Sequence, residues 1–134
     1  MIIEHIAIWT NQLEELKSYY TLYFKGIANK KYINAQKGFQ SYFISFSSGA
    51  RIEIMSKPGV PENKNDVVDT QYQGLIHFAF GVESVQLVKE KEEELRKAGY
   101  PILSGPRVTG DGYYEFETLD PDNNRIEVTT KYIN

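Results

Sequence analysis

Two histidines and two glutamates are the residues of this chain whose types and spacing could do chemistry. His5 and His77 are the only histidines among its 134 residues, and Glu53 and Glu127 each follow one of them at a similar interval. If their side chains line one cleft, two imidazoles and two carboxylates converge. That donor set favours a five- or six-coordinate divalent transition metal over a closed structural zinc, because water keeps the remaining positions. The open positions indicate chemistry at the metal.

The four residues belong to an internal repeat. The segment His-Ile-Ala-Ile at His5 matches His-Phe-Ala-Phe at His77, and Arg-Ile-Glu-Ile around Glu53 matches Arg-Ile-Glu-Val around Glu127. Alternation puts each histidine and each glutamate opposite the large apolar residues of its strand. An alternative stays open, in which both histidines are core residues beside small side chains and both glutamates lie at the rim.

The first copy of the repeat reads as strand, helix and three strands. Alternation predicts a strand over residues 2–9, and Asn11 with Glu14 predicts a capping box that starts a helix. Gly26 is the expected C′ residue of that helix. Three further strands are predicted over residues 28–35, 39–46 and 50–55.

The second copy has the same order. It begins with a predicted strand over residues 75–82 and a helix capped by Ser84 and ended by Gly99. Its last three strands are predicted over residues 102–108, 113–119 and 125–131. We therefore expect one domain over residues 1–134, made of module one (1–55), a Pro- and Gly-containing linker (56–73) and module two (74–134).

The turn before the last strand determines where Glu127 points. Asp120 and Pro121 open a turn, and Asn123 tolerates the left-handed conformation that such a turn needs. Ile126 and the valine after Glu127 then form the apolar face of the strand, so Glu127 faces away from the core.

Composition excludes several classes of function. The net charge of −3 and the absence of a basic run argue against nucleic acid as a partner. The sequence contains no cysteine, which excludes thiolate catalysis, disulfides and cysteine-ligated zinc. The N-terminus has neither a basic region nor a long apolar stretch, so no signal peptide or membrane span is predicted. We expect a soluble, cytoplasmic protein with no membrane partner.

Several of these segments give the chain a resemblance to a known family. The paired modules, His77-Phe-Ala-Phe, Gly105-Pro-Arg with Gly110-Asp-Gly, and Asp120-Pro-Asp-Asn-Asn-Arg-Ile-Glu127 resemble the vicinal oxygen chelate superfamily. That superfamily includes glyoxalase I, fosfomycin resistance proteins, extradiol dioxygenases, methylmalonyl-CoA epimerase and bleomycin resistance proteins. The resemblance covers almost the whole chain.

The resemblance implies an α+β fold and a metal site. Two βαβββ modules would form a curved, eight-stranded mixed sheet around a metal cleft, closed within one chain or across a homodimer. The glyoxalase I ligands, in chain order, fall on His5, Glu53, His77 and Glu127. The implied cofactor is a divalent ion, one of nickel, cobalt, zinc, manganese or iron.

The implied activity is that of a glyoxalase-like lyase or isomerase. A small substrate with adjacent oxygens would chelate the metal, which would stabilise an enediolate while Glu127, or by near-symmetry Glu53, moves the proton. The alternatives are a non-enzymatic small-molecule binding protein of the antibiotic-binding type, or another enzyme of the superfamily such as a thiol transferase, an epimerase or a dioxygenase. Glu53 favours the lyase branch, because dioxygenases and fosfomycin enzymes use only the final glutamate.

Four further residues are assigned to the substrate side of the cleft. Trp9 stands where bacterial glyoxalase I has an arginine for the glutathione carboxylate, which argues against glutathione. Glu117 disfavours a strongly anionic substrate unless an arginine pairs with it. Arg51 and Arg125 share strand faces with the glutamates and either meet substrate anions or, as we favour, form surface ion pairs.

Overall fold

The fold is α+β, as predicted, and its chain divides into two compact units. The computed structural model describes residues 1–62 and 70–133 together with the backbone of residues 66–67. The first unit is Met1–Glu62 and the second unit is Asn63–Asn134. Each unit contains one helix on a mixed sheet, the arrangement predicted from the repeat.

The first unit follows the predicted element order. Its elements are β1 (His5–Trp9), α1 (Leu13–Phe24), β2 (Ile27–Ala28), β3 (Tyr32–Asn34), β4 (Phe39–Ser45) and β5 (Arg51–Ser56). The sheet order is β1-β5-β4-β2, with β3 also on β4, and β1 runs parallel to β5. The strand predicted over residues 28–35 is divided, because the Asn29 side chain accepts the Phe43 N–H at 2.8 Å in place of a backbone carbonyl.

The predicted capping box of α1 is wrong. Gln12, not Asn11, is the N-cap residue, and no side-chain capping hydrogen bond forms at this helix end among the described residues. Glu14 is held elsewhere: Lys31 Nζ lies 2.7 Å from its carboxylate, and Lys17 and the Tyr42 hydroxyl also donate to it. These donors, Lys31 first, lower the pKa of Glu14 to about 2. The carboxylate therefore ties α1 to the sheet instead of reaching back to the N-cap.

The end of α1 also differs from the prediction. Lys25, with φ 56°, takes the left-handed position that was assigned to Gly26. Gly26 is required for space, since a Cβ there would lie 2.4 Å from Ile44 Cγ2. The glycine lets the chain pass directly over β4.

The second unit repeats this plan after a short hairpin. Its elements are β6 (Asp66–Val67), β7 (Thr70–Gln71), β8 (His77–Gly81), α2 (Val85–Lys97), β9 (Ile102–Val108), β10 (Tyr113–Leu119) and β11 (Arg125–Lys131). The sheet order is β8-β11-β10-β9, with β8 parallel to β11. The predicted cap is confirmed, because Ser84 Oγ accepts the Leu87 N–H.

The linker prediction falls partly on described residues. The strands β6 and β7 pair with each other inside the segment 56–73, and β5 extends one residue into it. Residues 63–65 and 68–69 of the predicted linker lie outside the described residues.

Each unit has its own apolar core between helix and sheet. In the first unit the buried apolar residues are Leu13, Leu16, Tyr19, Tyr20, Tyr42, Ile44, Ile52 and Ile54. In the second they are Val88, Leu95, Phe116, Leu119, Ile126 and Val128. Burying such side chains contributes roughly 1.5–3 kcal/mol each. Because strand side chains alternate, the opposite face of each sheet is left for the histidine and the glutamate.

Candidate metal centre

The second unit places His77 beside two glutamates. Parallel pairing of β8 with β11 puts Arg125 opposite His77 and Glu127 opposite Ala79, and antiparallel pairing puts Glu117 opposite Glu127. His77 Nε2 lies 3.2 Å from Glu127 Oε2. Ligand atoms of His77, Glu117 and Glu127 all lie within 4.8 Å of one another. Among the described residues, these three form a group able to hold a metal ion.

The first unit builds the equivalent pair in the same register. Arg51 lies opposite His5 and Glu53 lies opposite Ala7. His5 Nε2 is 3.7 Å from Glu53 Oε2. The repeat that the sequence shows is therefore also a repeat of strand register, and each unit brings its own predicted imidazole and carboxylate together.

Glu4 contacts the His5–Glu53 pair, and the sequence analysis missed it. Its carboxylate contacts His5 Nδ1, so Nε2 is the nitrogen directed at Glu53. Ligating histidines commonly donate their second nitrogen to a carboxylate, which fixes the ring and raises its basicity. An acid directly before a candidate ligand histidine was the available signal. The second unit has Ile76 at the matching position.

Arg51 confirms the expected ion pair at the surface. Its Nε donates to Glu4 Oε1 at 2.7 Å, and its side chain is about 37% exposed. The guanidinium also lies 4.1 Å from the centroid of the Phe43 ring, which packs nearly perpendicular to the His5 ring. Arg51 thus holds Glu4, and Glu4 holds the imidazole.

Arg125 does not behave as predicted. It is only 3% exposed, so it is not a surface ion-pair partner. The reason is its place on β11, an inner strand with β8 on one side and β10 on the other. Its Nη1 lies 3.5 Å from Glu117 Oε2. Arg125 is therefore an arginine that pairs with Glu117, the condition under which the sequence analysis allowed an anionic substrate.

Burial sets the protonation behaviour of Glu127. Loss of hydration raises the pKa of its carboxyl above the ordinary value, and His77 opposes that rise. Glu115 and Glu117 add to the rise through like-charge repulsion. A carboxylate with a raised pKa is a better proton acceptor than an exposed one.

The turn before β11 is confirmed and has an organising residue of its own. Asn123 takes the left-handed conformation, with φ 63°. Asp120 is 3% exposed, and its Oδ1 accepts the backbone N–H groups of Asp122 at 2.9 Å and Asn124 at 2.8 Å. These bonds fix the entry of the chain into β11 and hence the direction of Glu127.

Trp9 lies on the same face of β1 as His5, at the far end of the strand. Its ring meets Phe39 edge to face at 6.0 Å, and 41% of the residue is exposed. It lines a cavity of the first unit.

The donor set fits a divalent metal. In each unit an imidazole Nε2 faces a carboxylate oxygen, and in the first unit a second carboxylate holds the remaining ring nitrogen. Imidazole and carboxylate donors suit zinc, nickel, cobalt, manganese and iron.

No helix in the described part of the chain is long and apolar enough to cross a membrane.

Comparisons with known proteins agree with this fold. The chain is 26% identical over 133 residues to the uncharacterized protein YqjT of Bacillus subtilis, covering 94% of this chain and 96% of that protein. The trypanothione-dependent glyoxalase I of Leishmania major has a similar fold, with a TM-score of 0.76, 24% identity, and coverage of 97% of this chain and 86% of that one.

A glyoxalase/bleomycin resistance protein/dioxygenase domain from Frankia is similar over 98% of both chains, with a TM-score of 0.79 and 20% identity. The sequence profile of one family matches residues 2–128, nearly the whole chain. The protein therefore belongs to the glyoxalase/bleomycin resistance protein/dioxygenase superfamily, as the sequence resemblance implied.

Proposed function

We propose that the protein is a metal-dependent lyase or isomerase of the glyoxalase type, acting on a small substrate with vicinal oxygens. His5, Glu53, His77 and Glu127 would hold one divalent ion, chosen from nickel, cobalt, zinc, manganese and iron. The observation that carries the proposal is the doubled pair: in each unit an imidazole Nε2 faces a carboxylate from the same register position. The four would meet within one chain or across a homodimer.

Glu127 is the first candidate for the base. When bound, the metal would supply Lewis acidity that stabilises negative charge on the substrate oxygens. Glu127 takes the carbon-bound proton because burial raises the pKa of its carboxyl. Glu53 is the second candidate, by the near-symmetry of the two units.

Arg125 changes what the substrate side can accept. Its buried guanidinium offsets the charge of Glu117, so that glutamate does not by itself repel an anionic substrate. Both residues stay on the proposed substrate side, with Trp9 and Arg51. We also propose that the protein is a cytoplasmic homodimer, on the resemblance to the family.

A non-enzymatic binding protein is the second candidate. The half-exposed Trp9 and the aromatic cavity that it lines favour ligand binding without turnover.

Turnover separates the two functions. Hemithioacetals of methylglyoxal made from several thiols, including glutathione, would be incubated with metal-loaded protein, and formation of the 2-hydroxy acid thioester would be measured.

The proposal predicts turnover with at least one thiol and its loss in His77→Gln, which keeps a similar size and a hydrogen-bonding side chain. A thermal shift with these compounds but no product would favour the binding protein instead. The exposed Gln86→Ala variant is the control and should retain turnover.

A further inference from the structure

A cavity of the first unit has a lining unlike that of the metal-ligand pairs. Its volume is about 580 Å³, within the range of small-molecule sites. The lining residues are Trp9, Tyr32, Asn34, Lys37, Phe39 and Lys57. Three are aromatic and two are cationic, and none of the six described residues carries a carboxylate.

The aromatic walls leave apolar surface in contact with water. Phe39 lies between the other two rings, with centroids 6.0 Å from Trp9 and 6.0 Å from Tyr32. Trp9 is 41% exposed and Tyr32 is 55% exposed. A flat apolar group inserted here would cover these rings, and edge-to-face and stacked aromatic contacts stabilise such a group beyond the area that they bury.

The fold holds two lysines at the cavity rim. Lys37 belongs to the β3–β4 turn, where its N–H donates to Asn34 Oδ1 at 3.2 Å. That turn lies close to the segment after β5, as the distance of 3.1 Å between a Cβ built on Gly38 and the Pro58 ring indicates. Lys57, next to Pro58, places its Nζ 5.0 Å from the Trp9 ring centroid. The two lysines make this rim locally positive, although the net charge of the whole chain is −3.

The cavity shares a sheet face with His5 and Glu53. Residues 5, 7 and 9 of β1 point to the same side, and Glu53 lies opposite Ala7. Trp9 is four residues from His5, or about 13 Å along the strand. A ligand of that length could occupy the cavity with one end and approach the His5–Glu53 pair with the other.

We propose that this cavity binds a small organic anion with a flat apolar group, such as an aryl carboxylate or aryl phosphate. The rings cover the flat group, and Lys37 and Lys57 pair with the anionic one. The inference rests on the proposed function in taking the bound anion as the distal part of the substrate.

Trp9 makes the cavity directly observable, because it is the only tryptophan of the chain. Metal-free protein would be titrated with benzoate, phenyl phosphate and the neutral analogue benzamide while indole fluorescence is followed. We expect saturable changes with the two anions and about tenfold weaker binding of benzamide, given the worth of charged hydrogen bonds. Equal binding of benzoate and benzamide would overturn the proposal.

Two double variants with the same charge change test the lysines. Lys37→Gln/Lys57→Gln should weaken benzoate binding about tenfold or more, whereas Lys30→Gln/Lys131→Gln removes two exposed cations outside the cavity and should leave it unchanged. Phe39→Leu keeps the reporter and should weaken both benzoate and benzamide. Unchanged benzoate affinity in the Lys37/Lys57 variant contradicts the inference.

The outcome is separable from that of the proposed function. The titration uses no metal, so loss of the metal site leaves it unaffected. A protein that binds metal and turns over a hemithioacetal, but shows no saturable indole response to either anion, refutes the cavity assignment alone. A response without metal binding refutes the proposed function alone.

Discussion

His77 Nε2 lies 3.2 Å from Glu127 Oε2, and the same register in the other unit puts His5 Nε2 3.7 Å from Glu53 Oε2. Parallel pairing of the first strand of each unit with its last strand produces both contacts. The histidine and the glutamate of each unit are far apart in sequence, so this strand pairing is what brings them together.

Removing the charge of Glu127 should stabilise the metal-free protein. Because burial raises the pKa of its carboxyl, the folded state binds the proton more tightly than the unfolded state does. The contribution of the Glu127 carboxyl to the free energy of unfolding is therefore fully present below the ordinary carboxyl pKa. That contribution is lost as pH rises through the raised value. Glu127→Gln should have a higher free energy of unfolding than wild type at pH near 7, and the difference should close on acidification.

Urea denaturation of chelator-treated protein at several pH values measures this. Glu62→Gln, an exposed glutamate of the first unit, is the control and should lie within about 0.5 kcal/mol of wild type. A Glu127→Gln protein that is less stable at neutral pH would show that the ionised carboxylate is well accommodated without metal.

Glu4 should control metal affinity without being a ligand. Its carboxylate holds His5 Nδ1, and losing such a partner typically costs about 10- to 100-fold in affinity. Glu4→Ala should show that loss in calorimetric titrations with nickel or cobalt, while Glu15→Ala, exposed on α1, should bind normally. Equal affinities in the two variants would mean that the imidazole needs no such support.

Arg125 and Glu117 should be energetically coupled. Arg125→Met leaves Glu117 without its guanidinium partner beside Glu127, and breaking a buried pair costs about 3–5 kcal/mol. Glu117→Gln in the same protein removes the excess charge and should recover part of the loss. A double-mutant cycle in urea measures the coupling, expected at about 1–3 kcal/mol; a coupling near zero would mean that Arg125 stabilises the fold by packing alone.

Asp120 should stabilise the turn that directs Glu127. Its carboxylate accepts two backbone N–H groups and the Asn124 side chain, so Asp120→Ala should lower the free energy of unfolding by roughly 2–4 kcal/mol. Asn123→Gly occupies the same left-handed conformation and should change stability by less than about 1 kcal/mol. Thermal and urea denaturation would compare the two, and similar losses in both would contradict this role of Asp120.

Local patterns in the sequence predicted the elements and the faces on which the site residues lie. Alternation in β11 sufficed to direct Glu127 away from Ile126 and Val128, which are buried as expected. The Ser84 cap and the left-handed Asn123 also follow from local chemistry, since each needs only the residues next to it.

What the sequence could not predict depends on pairing between distant segments. Glu14 fits a capping box locally, but Lys31 from the β2–β3 loop and Tyr42 from β4 take its carboxylate. The burial of Arg125 depends on which strands flank β11, and its contact with Glu117 depends on the β10–β11 register. Whether the four predicted ligands hold one ion stays a prediction.

Metal content tests the central claim most directly. Protein purified without chelator, and protein reloaded with nickel, cobalt, zinc, manganese or iron, would be analysed by mass spectrometry of the metals. His5→Gln/His77→Gln is the test variant, and folding of every sample would be checked by circular dichroism. The account predicts near-stoichiometric divalent metal in wild type and its loss in the folded variant. A wild-type protein that takes up no metal, or a variant that retains it, would contradict the account.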